Sequence, residues 1–380
     1  MALFNYSAKN SEGELVKGSL KATTQQAARQ LIMQQGLFPV TIAQTNEKKT
    51  AGLTSGHCKL RDLSLFTWQF AAMIESGIQV VGALNALQQQ TTSKVLAAVL
   101  NEVIADIQGG SSLGKSLKKF PKVFPPRYCS MVEAGELSGM LSNVLDQLSE
   151  GLDKEIELRQ KVASAMVYPI VVMVVAVICL FVLLIFVIPV FKDVYAGFGA
   201  DLPLPTMVLM QLSNVTQKYS YIIIPVLLAL VVGANAFRKS EMGRPIVDKY
   251  VLRIPLFGSL FQKVAVARAI RTLSEMLGAG ISVIQALEQA AVTSGNALIE
   301  KSILSIIPEV TKGRNLAPLM RETGVFPIIV VHMVSAGEET GQLDHMLKKV
   351  ADFYDRDIDY TIKSLMGMLE PLLTVGLDRK

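Results

Sequence analysis

Apolar residues recur at three- and four-residue steps through most of this chain. Leu63, Phe66, Phe70, Met73 and Ile74 would share one helical face, and Leu96, Val99, Leu100, Val103 and Ile107 another. The N-terminus reads differently. Leu3-Phe-Asn-Tyr6 and Leu15-Val-Lys-Gly-Ser-Leu20 alternate as strands around the turn-rich Asn10-Ser-Glu-Gly13. A helix from Thr24 as N-cap to Gly36 as C-cap and a strand at Phe38–Ile42 follow. Residues 1–45 are therefore predicted as a small α+β module, and the aperiodic 46–57 as a linker. A third pattern is wholly apolar. No charge falls between Lys161 and Lys192, and Val, Ile, Leu and Phe dominate Tyr168–Val190, which predicts a transmembrane helix at 166–191. The uncharged 219–237, between Lys218 and Arg238 and opening on Tyr219 and Tyr221, predicts a second.

The helical pattern occurs twice. Met73-Ile-Glu-Ser-Gly77-Ile78 matches Met276-Leu-Gly-Ala-Gly280-Ile281, and Phe124-Pro125 through Gly139 matches Phe326-Pro327 through Gly341. The register continues through Asp153 and Asp355, and Lys161 and Lys363, to Pro169 and Pro371. One unit has been duplicated, so the fold expected is all-α: two homologous bundles of about six helices, at 58–165 and 238–371, beside transmembrane helices and the small N-terminal module. The second copy proper begins near 257. After Pro169 the first copy enters its apolar run; after Pro371 the second continues only through 372–380, the start of a third apolar segment that reads as cut short.

Within the repeat, Gly77 and Gly280 are expected to end the opening helices in the left-handed region. Pro125 and Pro327 should stand where a later helix begins, because the first turn has no use for their missing N–H. The densest match holds Gly135, Glu136 and Gly139 against Gly337, Glu338 and Gly341. Gly135 and Gly337 read as a close helix crossing or a left-handed turn, and Ser138 and Thr340 as N-caps of the next helix. Glu136 and Glu338 would then sit just before that helix, facing its positive end. A second doubled feature is acidic. Glu150, Asp153 and Glu157 match Asp352, Asp355 and Asp359 at i, i+3, i+7, which is either a solvated helix face or a docking surface for a basic partner.

Composition sharpens this picture. Hydrophobic residues make up 51% of 380 and mean hydropathy is +0.39, yet 18% are charged, a mixture that suits soluble domains on membrane spans. Basic residues set the orientation. Lys154, Arg159 and Lys161 precede the first span, and Arg238, Lys239, Arg244, Lys249 and Arg253 follow the second. The intervening 192–218 has only Lys192 and Lys218, offset by Asp193 and Asp201, so it reads as a short outside loop and both bundles as cytoplasmic. The formal charge of +5 is absorbed by that signal and implies no nucleic acid. Cys58, Cys129 and Cys179 read as reduced thiols rather than a disulfide framework. There is no phosphate-binding G-x-x-x-x-G-K-[ST] loop, the spans carry no charge for a proton relay, and His57, His332 and His345 lack metal-ligand spacing. No catalytic, cofactor or metal residue is expected. A cation beside Asp344, His345, Glu338 and Glu339 is a weaker alternative to a solvated helix face.

Two copies of F-P-x5-M-V-x-A-G-E-x-[ST]-G-x-L, each followed by a Pro-headed apolar segment, resemble the inner-membrane platform proteins of type IV pilus and type II secretion machines, the PilC/GspF family. Residues 1–45 are similar to that family's N-terminal module through Phe4-x-Tyr6, Gly13, Gly18 and Gly36-Leu37. The resemblance implies a non-enzymatic platform without cofactor, in the bacterial inner membrane, with its N-terminus and both repeats in the cytoplasm. It also implies partners: a cytoplasmic assembly ATPase, pilin or pseudopilin subunits, other inner-membrane components, membrane lipid, and further copies of itself. Family members usually have three spans, which this chain matches only as far as 372–380. A transporter built from duplicated halves is the alternative, although these spans offer Pro225 and no charge. A membrane enzyme is weaker still.

Overall fold

The structure is a computed structural model. It describes residues 2–9, 15–22, 26, 29–30, 33, 38–45, 56–190, 204–240, 242–255 and 257–378. The turn expected at 10–13, most of the helix expected from 24 to 36, and the linker at 46–55 lie outside those residues. Gln26, Arg29, Gln30 and Met33 are helical. By compactness the chain falls into two units, Met1–Asp153 and Lys154–Lys380.

Three strands, β1 (Ala2–Lys9), β2 (Leu15–Ala22) and β3 (Phe38–Thr45), form an antiparallel sheet in the order β2-β1-β3. Proline cannot donate to a ladder, and Pro39 sits on the edge strand β3 where the register slips between Ser7 and Ala8.

The first copy is α1 (Leu60–Glu75), α2 (Val80–Gln90), α3 (Lys94–Gln108), α4 (Leu113–Lys118), α5 (Pro126–Ser138) and α6 (Leu141–Val182). After α7 (Leu204–Lys239) and the short α8 (Gly243–Val251), the second repeats the order as α9 (Gly258–Gly278), α10 (Val283–Thr293), α11 (Ala297–Thr311), α12 (Leu316–Glu322), α13 (Ile328–Thr340) and α14 (Leu343–Asp378). Each copy thus has six helices in the same sequence.

Amphipathic stripes build each core, but the two cores differ. Leu63, Phe66 and Phe70 of α1 and Leu96, Val99, Leu100 and Val103 of α3 are all buried. Phe66, Phe70, Phe124 and Tyr128 stack in a chain with ring centroids 5.3 to 6.0 Å apart, and the Tyr128 hydroxyl meets Thr67 Oγ1 at 3.1 Å. In register, the second copy has Ala269, Leu273, Phe326 and Val330 at the four ring positions. Replacing three rings by smaller groups leaves an apolar cavity of about 10 Å³ against Ala269, Leu273 and Phe326.

Helices run across two boundaries of the sequence reading. The first bundle was expected to end at 165 and a span to begin at 166, with Pro169 at its head. Instead α6 passes through Pro169 without a break, and after a π-turn at Leu183–Val187 the helix reaches Val190. No Gly or turn residue separates the amphipathic stretch from the apolar one, and inside an apolar helix the hydrogen bond lost at proline is tolerated. The corresponding Pro371 likewise falls within α14. The outside loop was expected at 192–218, yet 204–218 belongs to α7. There Met210, Ser213 and Thr216 recur at three-residue steps and are buried, so this turn of helix has a packed face. Among the described residues one helix, Leu141–Val190, is long and apolar enough to cross a membrane. The segment 219–237 lies wholly within the 36-residue α7.

Candidate functional site

The doubled motif forms a corner in each copy. Pro125 and Pro327 are the N-caps of α5 and α13, and Gly139 and Gly341 close those helices in the left-handed region at φ 70° and 69°. Gly77 and Gly280, at φ 83° and 77°, follow the ends of α1 and α9. At the first corner the Gly135 carbonyl accepts from both Gly139 N and Met140 N. The chain then turns directly into α6.

Gly135 and Gly337 are not at the turns. They lie inside their helices, where α6 and α14 fold back against them. A Cβ on Gly135 would stand 2.9 Å from Val144 Cγ2 and 3.2 Å from Leu141 Cα. One on Gly337 would stand 2.9 Å from Leu343 Cα. Both glycines permit a backbone approach that no other residue allows.

The expected roles of Ser138 and Thr340 as N-caps are overturned. Each still lies in the last turn of its helix, immediately before the left-handed glycine. The hydroxyls therefore donate backwards, Ser138 Oγ to the Ala134 carbonyl at 2.8 Å and Thr340 Oγ1 to that of Ala336 at 2.7 Å.

Glu136 and Glu338 do meet the positive end of a helix, but it is not the one that follows them. Glu136 accepts from Leu113 N at 2.8 Å with Oε1 and from Gly114 N at 3.0 Å with Oε2, so it caps α4. Glu338 accepts from Leu316 N with Oε1 and from Ala317 N at 3.0 Å with Oε2, and so caps α12. The nominal cap residues Ser112 and Asn315 make no side-chain cap bond. A carboxylate delivered from about 22 residues downstream replaces them in both copies. Sequence spacing alone could not show this, because the acceptor and its donors are distant along the chain. With Glu338 committed in this way, the alternative of a cation at Asp344, His345, Glu338 and Glu339 loses its central ligand.

Copy one adds a close approach. A Cβ on Gly114 would fall 2.7 Å from Glu133 Cβ, whereas copy two has Ala317 there. Lys118 also pairs with Glu133 across α4 and α5.

The acidic stripe is largely committed within the chain. Asp153 accepts from the buried Ser64 hydroxyl of α1. Its counterpart Asp355 pairs with Arg271 of α9, whose side chain is 11% exposed. Glu157 and Asp359 share Lys161, at 2.9 and 2.8 Å. Hydrogen bonding to Lys161 holds the Glu157 carboxyl below its ordinary range, and the bond to Asp359 holds the Lys161 ammonium above its own. Lys263 joins α9 to Asp357 at 2.9 Å. Glu150 and Asp352 have exposed side chains. Arg271 and Ser64 escaped the sequence reading because their helices carry no charge pattern that points to α14 or α6.

In the apolar part of the chain, Ser213 of α7 donates its hydroxyl to the Leu184 carbonyl, within the π-turn of the first apolar helix. A π-turn displaces carbonyls from the regular ladder, and where no water reaches them they need another donor. Among the described residues the doubled features thus supply helix caps, close crossings and cross-helix ion pairs.

Comparison with known proteins agrees with this pattern. The domain described as type II secretion system (T2SS), protein F, matches residues 66–189 and 269–377, one match per copy, and the N-terminal domain of type II secretion system protein F matches 1–43. The type IV pilus assembly protein PilC of Myxococcus xanthus is 37% identical over 380 residues, covering 99% of this chain and 91% of that one. PilC of Thermus thermophilus is 35% identical over 383 residues, 99% and 94% of the two chains. Type II secretion system protein F of Pseudomonas aeruginosa is 31% identical over 380 residues, again 99% and 94%. On these matches, which span both copies and the N-terminal module, the chain belongs to the type II secretion system protein F family, which includes the type IV pilus assembly proteins PilC.

Proposed function

We propose that this protein is the inner-membrane platform of a type IV pilus or type II secretion machine, a non-enzymatic scaffold that couples a cytoplasmic assembly ATPase to the polymerisation of pilin or pseudopilin subunits. On this reading 166–191 and 219–237 cross the membrane, and the N-terminus and both repeats lie in the cytoplasm. The observation that carries it is the unbroken helix from Leu141 to Val190, whose buried Leu145, Leu148 and Leu152 belong to the bundle while its far end is apolar throughout. No loop interrupts the backbone between the bundle and that apolar end. A docking role for the acidic stripe is part of the same proposal and rests on its exposed members. Charge reversal at Asp352 is the suitable variant, since Asp153 and Asp355 are tied within their own copies.

The experiment is complementation of a deletion strain. The chain should restore fibres or secretion and retain the assembly ATPase in a pull-down from detergent. A Gly-Gly insertion after Val162, which breaks the helix between bundle and membrane, should keep the ATPase but abolish fibres. Normal fibres in the deletion strain would overturn the reading, and flux of a small solute through vesicles holding the purified protein would favour a transporter.

A further inference from the structure

The short helix α8 is amphipathic in an unusual sense, because its apolar stripe faces outward. Met242 is 83% exposed, Ile246 49%, Tyr250 64% and Ile254, just past the helix, 44%. These residues follow one another at four-residue steps. With 100° of turn per residue, Met242, Ile246 and Tyr250, together with Lys249 and Arg253, fall within an arc of roughly 100° if the helical turn is extended to the flanking residues. Both cations are exposed.

The opposite face is held firmly. Asp248, 8% exposed, accepts from Ala297 N at 2.8 Å through its carboxylate, its carbonyl accepts from Asn296 Nδ2 at 3.4 Å, and Arg244 pairs with Glu300 at 2.8 Å. This capping of α11 fixes the rotation of α8. The apolar stripe therefore cannot turn inward to bury itself.

We infer that the outer face of α8 lies on the membrane surface, with Met242, Ile246 and Tyr250 among the upper acyl chains and Lys249 and Arg253 on anionic lipid headgroups. Two observations select lipid as the occupant. The stripe begins five residues after Phe237, where the apolar segment of α7 ends, so it is held at the height of the headgroups. The flanking charges are both cationic, as an anionic leaflet requires, and an aromatic residue accompanies them. The inference rests on the proposal that 219–237 spans the membrane.

The test uses full-length protein in vesicles, with Trp68→Phe removing the single native tryptophan and one new tryptophan placed per variant. Tyr250→Trp should be quenched by lipids brominated near the headgroup. Glu322→Trp, on an exposed side chain of α12, should be quenched several-fold less. Val232→Trp reports separately on the span through lipids brominated deep in the chain. Quenching at 232 with none at 250 above that at 322 overturns the surface helix and leaves the span standing. No quenching at 232 removes the span, and the surface helix then stands or falls on 250 alone. In vesicles containing phosphatidylglycerol, Lys249→Gln with Arg253→Gln should reduce quenching at 250 to the level seen in phosphatidylcholine. Equal quenching in both lipids, with and without those cations, would overturn the anionic part of the inference.

Discussion

Replacing Glu136 by alanine removes the side chain that, among the described residues, accepts from both Leu113 N and Gly114 N. Leu113 is 2% exposed and Gly114 is buried, so water cannot fully take the carboxylate's place. A hydrogen bond to a charged group contributes about 1.5–3 kcal/mol, and a buried donor left without a partner costs about 1–3 kcal/mol. Allowing for partial hydration of the short α4, the pair together should be worth about 3 kcal/mol. Glu136→Gln keeps one acceptor oxygen but turns an NH2 towards the second amide, so it should lose about half as much. The readout is hydrogen exchange of full-length protein in detergent, followed at α4. A loss of about 3 kcal/mol of local protection corresponds to roughly 100-fold faster exchange at Leu113 and Gly114 in the alanine variant. Glu338→Ala should do the same at Leu316 and Ala317 and leave α4 unchanged. The two clamps share no partner, so the double variant should sum the single losses within about 0.5 kcal/mol. If exchange at Leu113 and Gly114 rises less than about threefold while the protein stays folded, the carboxylate is not what holds α4.

Gly337→Ala should lower stability by about 1–3 kcal/mol, because its new Cβ meets the Leu343 backbone at 2.9 Å rather than a movable side chain; a thermal midpoint equal to wild type in detergent would sink the crossing argument. Arg271→Ala should cost about 2–3 kcal/mol by leaving the 20%-exposed Asp355 unpaired, and Arg271→Ala with Asp355→Ala should cost less than the two singles summed. Additive losses in the denaturation midpoints would mean the pair is not coupled. Stability should also depend on pH through Lys161 and Glu157. Glu157 titrates below its ordinary 4.5, so its stabilisation is present above that value and lost as acid carries the pH through the lowered one. Lys161 titrates above its ordinary 10.5, so its contribution is present below that value and lost as the pH rises through the raised one. Lys161→Gln should flatten both limbs of the stability profile, by a modest amount since these groups are largely solvated, and unchanged limbs would refute the linkage.

Periodicity carried most of the helical architecture. The stripes at Leu63, Phe66 and Phe70 and at Leu96, Val99, Leu100 and Val103 are the packed faces, and duplication predicted a second bundle of the same order. Local pattern failed where the partner was remote. Ser138 looks like an N-cap by residue type, but a left-handed glycine one position later makes it the end of a helix. Glu136 reads as a local charge although its donors are 22 and 23 residues upstream. At 165 hydropathy changes while helix propensity does not, so composition marks the start of an apolar stretch there and the backbone shows no break. The acidic stripe was visible, but its partners were not, since the Ser64 hydroxyl and the Arg271 guanidinium stand at unrelated positions of α1 and α9.

The duplicated unit has kept its joints and changed its faces. Caps at Glu136 and Glu338, crossings at Gly135 and Gly337, and turns at Gly139 and Gly341 recur with nearly equal geometry, because each is a backbone requirement that few residues can meet. On the opening helices the copies have separated. In register, Ser64 and Trp68 of α1 stand where α9 has Ala267 and Arg271. Copy two holds Asp355 with a guanidinium, whereas copy one holds Asp153 with a hydroxyl and leaves Trp68 58% exposed and Leu65 55%. A carboxylate held by arginine ties two helices through charge; one held by serine leaves the neighbouring turn free to carry an apolar surface. The two bundles are therefore not interchangeable. Exchanging Ser64 and Trp68 for Ala and Arg should strengthen the tie between α1 and α6 while removing the exposed indole and leaving Leu65 in place.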